Sequence, residues 1–400
     1  MVLEYKNLFF IYSIGLTSLT LLSVFTYLIS YKYSIILNKR FTSFIFALSL
    51  IFYLSSALYL ASTKINALHH YLDFATHLEI LWRNSQGLGL TSLMSEKFWM
   101  SSHWFAAHFT PIIYLTYVPV FKILPSPNII PIFETLFLTS TLIPLWLISK
   151  KYVNKNLCRL FISSFLFYPT IFYINLYGTA YIELCIPLLL WLFYFFEEKK
   201  NTLFILTLVL CLMVREEVSL VTCFFGIYML IKKRYVMGVS TILLSLAYFF
   251  IVMFIVIPLY NGGNPHLATS TFSSLGSTYY DIIINILSHP IDTMNKIMNV
   301  PKVGNFIILL IPLAFTSLIN MSTFLIAIPN LAITFLSDSI THGSFILYYV
   351  SPSIPIFFYS AIVGINKIRK WRFVNINSLI NTILVASISA TIFFGATPIS

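Results

Sequence analysis

The chain has 400 residues, of which 58% are apolar and only 9% charged, with a formal net charge of +11 and a mean hydropathy of +0.88. Soluble globular domains carry about 25% charged residues and disordered chains combine low hydropathy with high charge, so both classes are excluded. The positive charge is not a nucleic-acid face, because Lys and Arg sit in short clusters between apolar runs instead of in one polar segment.

A bilayer core of about 30 Å needs about 20 helical residues. Apolar runs near that length cover 8–30, 41–62, 128–149, 160–176, 182–196, 236–258, 304–319, 324–336, 345–365 and 378–396. The first is too long for a signal-peptide core and lacks a small-residue cleavage site, so it is expected to be a retained span. Stretch 202–231 is apolar except for Arg215-Glu216-Glu217 at its middle, and charged residues bound both its ends. Two short helices meeting at the triplet would return the chain to the side it left. The segment 105–124 is apolar but carries Pro111, Pro119 and Lys122. Counting it as a span would flip every later loop, so it reads as a membrane-surface or re-entrant helix. The expected architecture is an all-α polytopic membrane protein of about twelve spans. Residues 1–40 would be an extra N-terminal span with a basic loop, and 41–400 a single membrane domain.

Connections 31–40, 150–159, 197–201, 232–235 and 366–372 hold 16 of the 24 lysines and arginines, which assigns them to the cytoplasm. Both termini and the two long loops 63–107 and 259–303 then lie outside. All eight histidines and most carboxylates share that outer side. Longer outer loops account for part of this bias; a titratable site at the outer membrane face would account for the rest. Cys158, Cys185, Cys211 and Cys223 lie in or beside apolar runs without a C-x-x-C pair, so they read as buried small hydrophobes.

Four groups of residues could carry chemistry. In the run His69 to Glu79, a helix would place His70, Asp73 and His77 on one face, either as the polar side of an interfacial helix or as catalytic and cation-binding groups. Arg215, Glu216 and Glu217 cost about 2.5–3.5 kcal/mol each inside a membrane. The apolar flanks are too short to lift them easily to the surface, so a recessed wet cavity is expected, a simple polar turn being the alternative. Asn175 to Glu183 reads as an outer turn with Glu183 heading the next helix, favourable for the helix dipole. His108 precedes the proline-bearing segment on the same side.

Together these segments resemble a known family. Asp73-Phe74-Ala75 with Trp82 and Gly87 resembles the D-L-G…W…G opening of the domain-of-unknown-function 2079 (DUF2079) membrane proteins. His108-Phe109-Thr110-Pro111 resembles their H-F-S-P element, Arg215-Glu216-Glu217 their K-E-D element, and Leu275-Gly276-Ser277 with His289-Pro290 their external-loop pattern. Tyr348-Tyr349 through Pro355 and Gly364 resemble the closing segment, so the likeness runs from about residue 50 to the end. The chain departs from the pattern at Glu79, where Gln is usual, and at Tyr181, where a His often precedes the carboxylate matching Glu183. His77 is not a family feature.

That family is similar to the GT-C class of integral membrane glycosyltransferases. The resemblance implies transfer of a sugar from a polyprenyl-phosphate donor to an acceptor at the outer face of the cell membrane. It carries onto Asp73 the role of base, or of a group that binds the acceptor or a metal. Glu216 and Glu217 would orient acceptor hydroxyls or hold a divalent cation, and His108 and Arg215 would balance the donor phosphate. Glu183 and Trp82 are expected at the substrate. Relatives often continue into a soluble C-terminal segment, so its role would be either absent here or supplied by a partner chain. A transporter or lipid flippase, which would also use intramembrane charge and broken helices, and a non-catalytic membrane subunit remain as alternatives.

Overall fold

The computed structural model describes residues 2–67, 72–99, 101–339 and 341–398. The described residues form helices and turns with no strand, apart from one isolated bridge between Thr91 and His103. The order is α1 (Val2–Lys32), α2 (Lys39–Asn66), α3 (Leu72–Ser85) and α4 (Leu93–Trp99), then 3-10 turns at Trp104–Ala106 and Pro111–Leu115 and the short α5 (Tyr117–Ile123). Segment 105–124 therefore makes no helix of spanning length, as its prolines dictate. Its Phe105, Ile112, Tyr117 and Phe121 are buried against the bundle.

Helices α6 (Ile129–Ser140) and α7 (Leu142–Ser149) run nearly continuously, and α8 (Lys155–Leu166) bends by 45° into α9 (Pro169–Tyr177). Then come α10 (Cys185–Glu197), α11 (Asn201–Leu212), α12 (Val218–Ile231) and α13 (Tyr235–Ile251). A π turn over Val252–Val256, closed by the Ile257 N–H on the Val252 carbonyl, leads to α14 (Ile257–Tyr260). The remaining helices are α15 (Tyr279–Ser288), α16 (Pro290–Ile297), α17 (Val300–Leu310), α18 (Met321–Phe324), α19 (Ile328–Leu336), α20 (Ser353–Ile368) and α21 (Ile376–Phe394).

Among the described residues, four helical stretches are long and apolar enough to cross a membrane: Lys39–Asn66, Ile129–Ser149, Tyr235–Tyr260 and Ile376–Phe394. Counting each bent pair, α8 with α9 and α16 with α17, as one span makes six. That is fewer than the twelve or so spans expected. α1 covers the first, but stretch 202–231 divides into α11 and α12 as expected, and 324–336 and 345–365 contain apolar helices of only 10–17 residues. The shortening has local causes. Arg215 to Glu217 interrupt 202–231. Ala314 and Phe315 adopt left-handed backbone, at φ 48° and 55°, and break 304–319. Large apolar side chains such as Phe44, Leu48, Ile51, Leu243 and Phe254 face outward on α2 and α13 and the turn that follows it. Apolar surface of this extent belongs against lipid or another protein.

The core centres on α10, which is apolar all round and accordingly buried. It spans about 20 Å, from Glu183 just before it to Glu197 at its end. α11 returns and α12 runs back, so Glu183 and the Arg215–Glu217 break share one end of the bundle. The connections after α10 and α12 share the other. At that second end Lys151 pairs with Glu197, at 3.1 Å, and with Glu198, while the hydroxyls of Tyr152 and Tyr359 donate to Glu197 at 2.5 and 2.8 Å. Three basic connections close on asparagine N-caps. Asn38, Asn154 and Asn375 accept from the first free backbone N–H groups of α2, α8 and α21.

Helices α12 and α13 pack closely through two glycines. A Cβ at Gly226 would lie 2.7 Å from Ile242 Cγ1 and 2.9 Å from the Gly238 carbonyl oxygen, and one at Gly238 would lie 2.9 Å from the Gly226 oxygen. Small residues permit such approach within a membrane, and Thr222 and Ser245 hydroxyls bond across the same seam at 2.8 Å. Gly226→Val must push α13 away, at a cost of about 1–3 kcal/mol. A clear fall in Tm of the detergent-solubilised protein is expected, and an unchanged Tm would contradict this packing.

The segment 273–296 is tied back to Asp338. Lys296 donates to its Oδ1 at 2.5 Å, and the Ser274 hydroxyl and N–H also donate to the carboxylate. Partial burial opposes ionisation, but these bonds outweigh it and hold the Asp338 carboxyl down to about 2, against the usual 3.8. A depressed carboxyl contributes stability above its unfolded value and loses it only as pH falls through the folded one. Protection of this segment, probed with an acid-active protease at pH 4 and a neutral one at pH 7, should therefore hold at both, and Lys296→Met should lose it at both. Cleavage of wild type that sets in near pH 4 would refute the clamp.

Candidate functional site

The two helices flanking Arg215-Glu216-Glu217 stop short of one another, and the chain between them faces the loop after Trp104. Ile112 N–H donates to the Met213 carbonyl at 3.1 Å, holding that loop to the break. A buried carboxylate must find donors, and Glu216, at 3% exposure, finds several. Its Oε2 accepts the Phe109 backbone N–H at 3.0 Å. Its Oε1 lies 2.7 Å from His108 Nδ1 and 3.2 Å from His266 Nε2.

Arg215 supplies the opposite charge. Its Nη2 is 2.5 Å from His108 Nε2, its Nε is 3.3 Å from Glu217 Oε2, and its guanidinium lies over the Tyr348 ring, 5.9 Å from the centroid. Arginine only donates, so His108 Nε2 accepts and the ring proton sits on Nδ1, where it donates to Glu216. Arg215 Nε also approaches Nδ1, at 3.0 Å, but that nitrogen has no lone pair free in this tautomer. Burial, assisted by Arg215, holds the His108 imidazole neutral, with its pKa down to about 3.

Asp73 opens α3, half-buried, and accepts a hydrogen bond from the Tyr177 hydroxyl at the end of α9. The Tyr177 ring packs edge-on against Tyr348 at 4.6 Å. Asp73 is thus joined to Arg215 through two aromatic rings, and Asp73, His108, Arg215, Glu216 and Glu217 form one contiguous group. Tyr177 is itself placed by its neighbours: Lys64 donates to the adjacent Leu176 carbonyl at 2.9 Å.

The other expected site residues stand elsewhere. Trp82 follows Asp73 by nine positions, which at 100° per residue is the opposite face of α3. It is 51% exposed and lines a shallow groove of about 370 Å³ with Leu78, Phe121 and Pro127. Glu79 caps α4, accepting from the Ser92 hydroxyl at 2.6 Å and the Leu93 N–H at 2.9 Å. Glu183 is fully buried and acts on backbone. It accepts from Tyr117 Oη, Thr179 Oγ1 and Tyr181 N at 3.0 Å, and from Ala180 N at 3.3 Å. Those bonds hold a turn in which Gly178, Thr179 and Tyr181 all have positive φ. Glu183 therefore orients the end of α9, and Tyr177 with it.

His69 and His70 lie outside the described residues. His77 is buried between the rings of Trp104 and Tyr181, at 4.7 and 4.5 Å, so it packs and does not converge on Asp73. One set of side chains among the described residues brings three metal-ligating atoms within 4.8 Å of one another: His108, Glu216 and His266. His266 had no distinguishing signal in the sequence beyond being one of eight histidines on the expected outer side. Tyr177 and Tyr348 lay inside motifs already noted, without a role.

Residues 64–400 match the family model described as "Predicted membrane protein (DUF2079)", and the chain belongs to that family. No curated protein and no solved structure matches it.

The role given to Glu183 has a direct check. Glu183→Gln turns one acceptor oxygen into a donor facing donors already in place, a mismatch worth about 1–3 kcal/mol. A lower Tm in detergent is expected; wild-type stability would mean that the turn is held by something else.

Proposed function

We propose that the chain is a multi-pass enzyme of the cell membrane, GT-C-like in architecture, with its basic connections inside and the Asp73–Arg215–Glu216 group at the outer face. The reaction is transfer of a glycosyl group from a polyprenyl-phosphate donor to an acceptor hydroxyl. The observation that carries this reading is the junction of Asp73, through Tyr177 and Tyr348, to the buried Arg215–His108–Glu216 cluster. One end of that group is a half-buried carboxylate suited to accept a proton. The other is a guanidinium suited to a phosphate.

The Asp73 carboxylate takes the proton of the acceptor hydroxyl as its oxygen bonds to the anomeric carbon. The bond from that carbon to the phosphate oxygen breaks, and the electron pair leaves with polyprenyl phosphate. Arg215 stabilises the charge that grows on the phosphate, where a guanidinium can donate two parallel bonds. Membrane lipids flank the outward apolar faces of α2 and α13 and supply the phase in which the polyprenyl tail lies.

A second reading, a transporter, rests on Glu134. It lies in the α6–α7 stretch, is 1% exposed, and neither carboxylate oxygen has a hydrogen-bond partner. Intramembrane carboxyls of this kind serve proton and ion pathways.

Surface-glycan mass spectrometry in the native host separates the two. Deletion should shorten a glycan, and Asp73→Asn, present at normal membrane levels, should fail to restore it. Full restoration by Asp73→Asn would remove Asp73 as the base. Loss of function through Glu134→Gln alone, with Asp73→Asn active, would favour transport.

A further inference from the structure

His108, Glu216 and His266 come from three separate stretches: the loop before α5, the α11–α12 break and the loop after α14. Their ligating atoms nevertheless converge, with 2.7 and 3.2 Å from Glu216 Oε1 to the two imidazole nitrogens. Ligands held about 2.0–2.2 Å from one ion stand roughly 3.0–3.4 Å apart in octahedral or tetrahedral geometry. We propose that His108 Nδ1, Glu216 Oε1 and His266 Nε2 bind a borderline divalent transition-metal ion of the Zn²⁺ type. This assignment concerns the cluster itself and stands whether or not the chain transfers sugars.

The chemistry of the donor set selects the ion. Two imidazoles and one carboxylate suit Zn²⁺ and its neighbours, whereas Mg²⁺ and Ca²⁺ call for oxygen shells. Three protein ligands leave an open position for water or a substrate oxygen. The surroundings are those of a held ligand set. Glu216 Oε2 is oriented by the Phe109 N–H at 3.0 Å, Glu216 and His266 are 3% and 6% exposed, and His108 is the more open member at 19%.

Coordination would have a defined effect on Arg215. A neutral imidazole bound through Nδ1 carries its proton on Nε2. Arg215 Nη2 already donates to Nε2 at 2.5 Å, and two donors cannot face each other at that distance. Metal loading and the Arg215–His108 bond therefore exclude one another. The ion would displace Arg215 Nε from His108 Nδ1, at 3.0 Å, and from Glu216 Oε1, at 3.8 Å, leaving Glu217, at 3.3 Å, as its partner. The guanidinium is then available to an incoming anion, and removing it should help the metal.

The test uses the full-length protein in detergent, freed of any purification tag, stripped with a chelator and titrated with Co²⁺ as the probe. Wild type should take up one ion per chain and develop visible d–d absorption. Glu216→Gln and His266→Ala should weaken binding at least tenfold, Arg215→Gln should tighten it several-fold, and the exposed His289→Ala should change nothing. His266→Cys gives the decisive readout. A cysteine in the ion's coordination shell retains binding and adds sulfur-to-cobalt charge-transfer absorption, which a merely structural residue cannot produce. Absence of stoichiometric Co²⁺ uptake by wild type, or no charge-transfer absorption from a His266→Cys protein with a wild-type size-exclusion profile, would overturn the site.

Discussion

The arrangement depends on a carboxylate, Glu216, that the chain buries in an apolar bundle. Removing an ionised group from water is costly enough that the surrounding chain must supply donors. Here the donors come from the loop before α5, in His108 and the Phe109 N–H, and from the loop after α14, in His266. Two connections that the sequence separates by more than one hundred and fifty positions are drawn to a single break between short helices. Arg215, beside it, then extends the group to Tyr348 and, through Tyr177, to Asp73.

The short helices make such a break tolerable. Backbone groups within a membrane must be satisfied inside the protein, and α11 and α12 end where the α5 loop covers them, as the bond from Ile112 N–H to the Met213 carbonyl illustrates. The same logic explains Glu183. A turn with three positive-φ residues in a row of four exposes its N–H groups, and one buried carboxylate gathers two of them together with two hydroxyls. Glu79 and Glu183 thus organise the turns beside them, while Glu216 gathers two imidazoles as well as a backbone N–H.

Much of this was legible in the sequence wherever local chemistry decides the outcome. The charged triplet does separate two short helices, the prolines of 105–124 do prevent a long one, and the basic connections do close α10 and α12 at one end. His108 and Arg215 to Glu217 do meet. What failed to show depends on winding and tertiary contact. Trp82 belongs to the opposite face of α3 from Asp73, His77 is consumed by packing between two rings, and His266 reaches Glu216 only because α13 lies against α12. Hydropathy likewise cannot see the left-handed pair Ala314-Phe315 or the bend at Pro169 that divide apolar runs into pieces too short to cross alone.

The π turn at Val252–Val256 sets the phase between these distant parts. Each residue of an α-helix advances the chain by about 100°, and a π turn accommodates one residue beyond the regular winding. α12 and α13 are locked by the glycine seam, so α13 cannot rotate to compensate for a change further along. Shortening the turn by one residue would restore regular winding but swing α14 and the loop behind it through about a quarter of a revolution, carrying His266 off Glu216. The alignment of the two sides of the cluster is therefore stored as a counting offset in one helix, and an insertion or deletion there would be felt at Glu216.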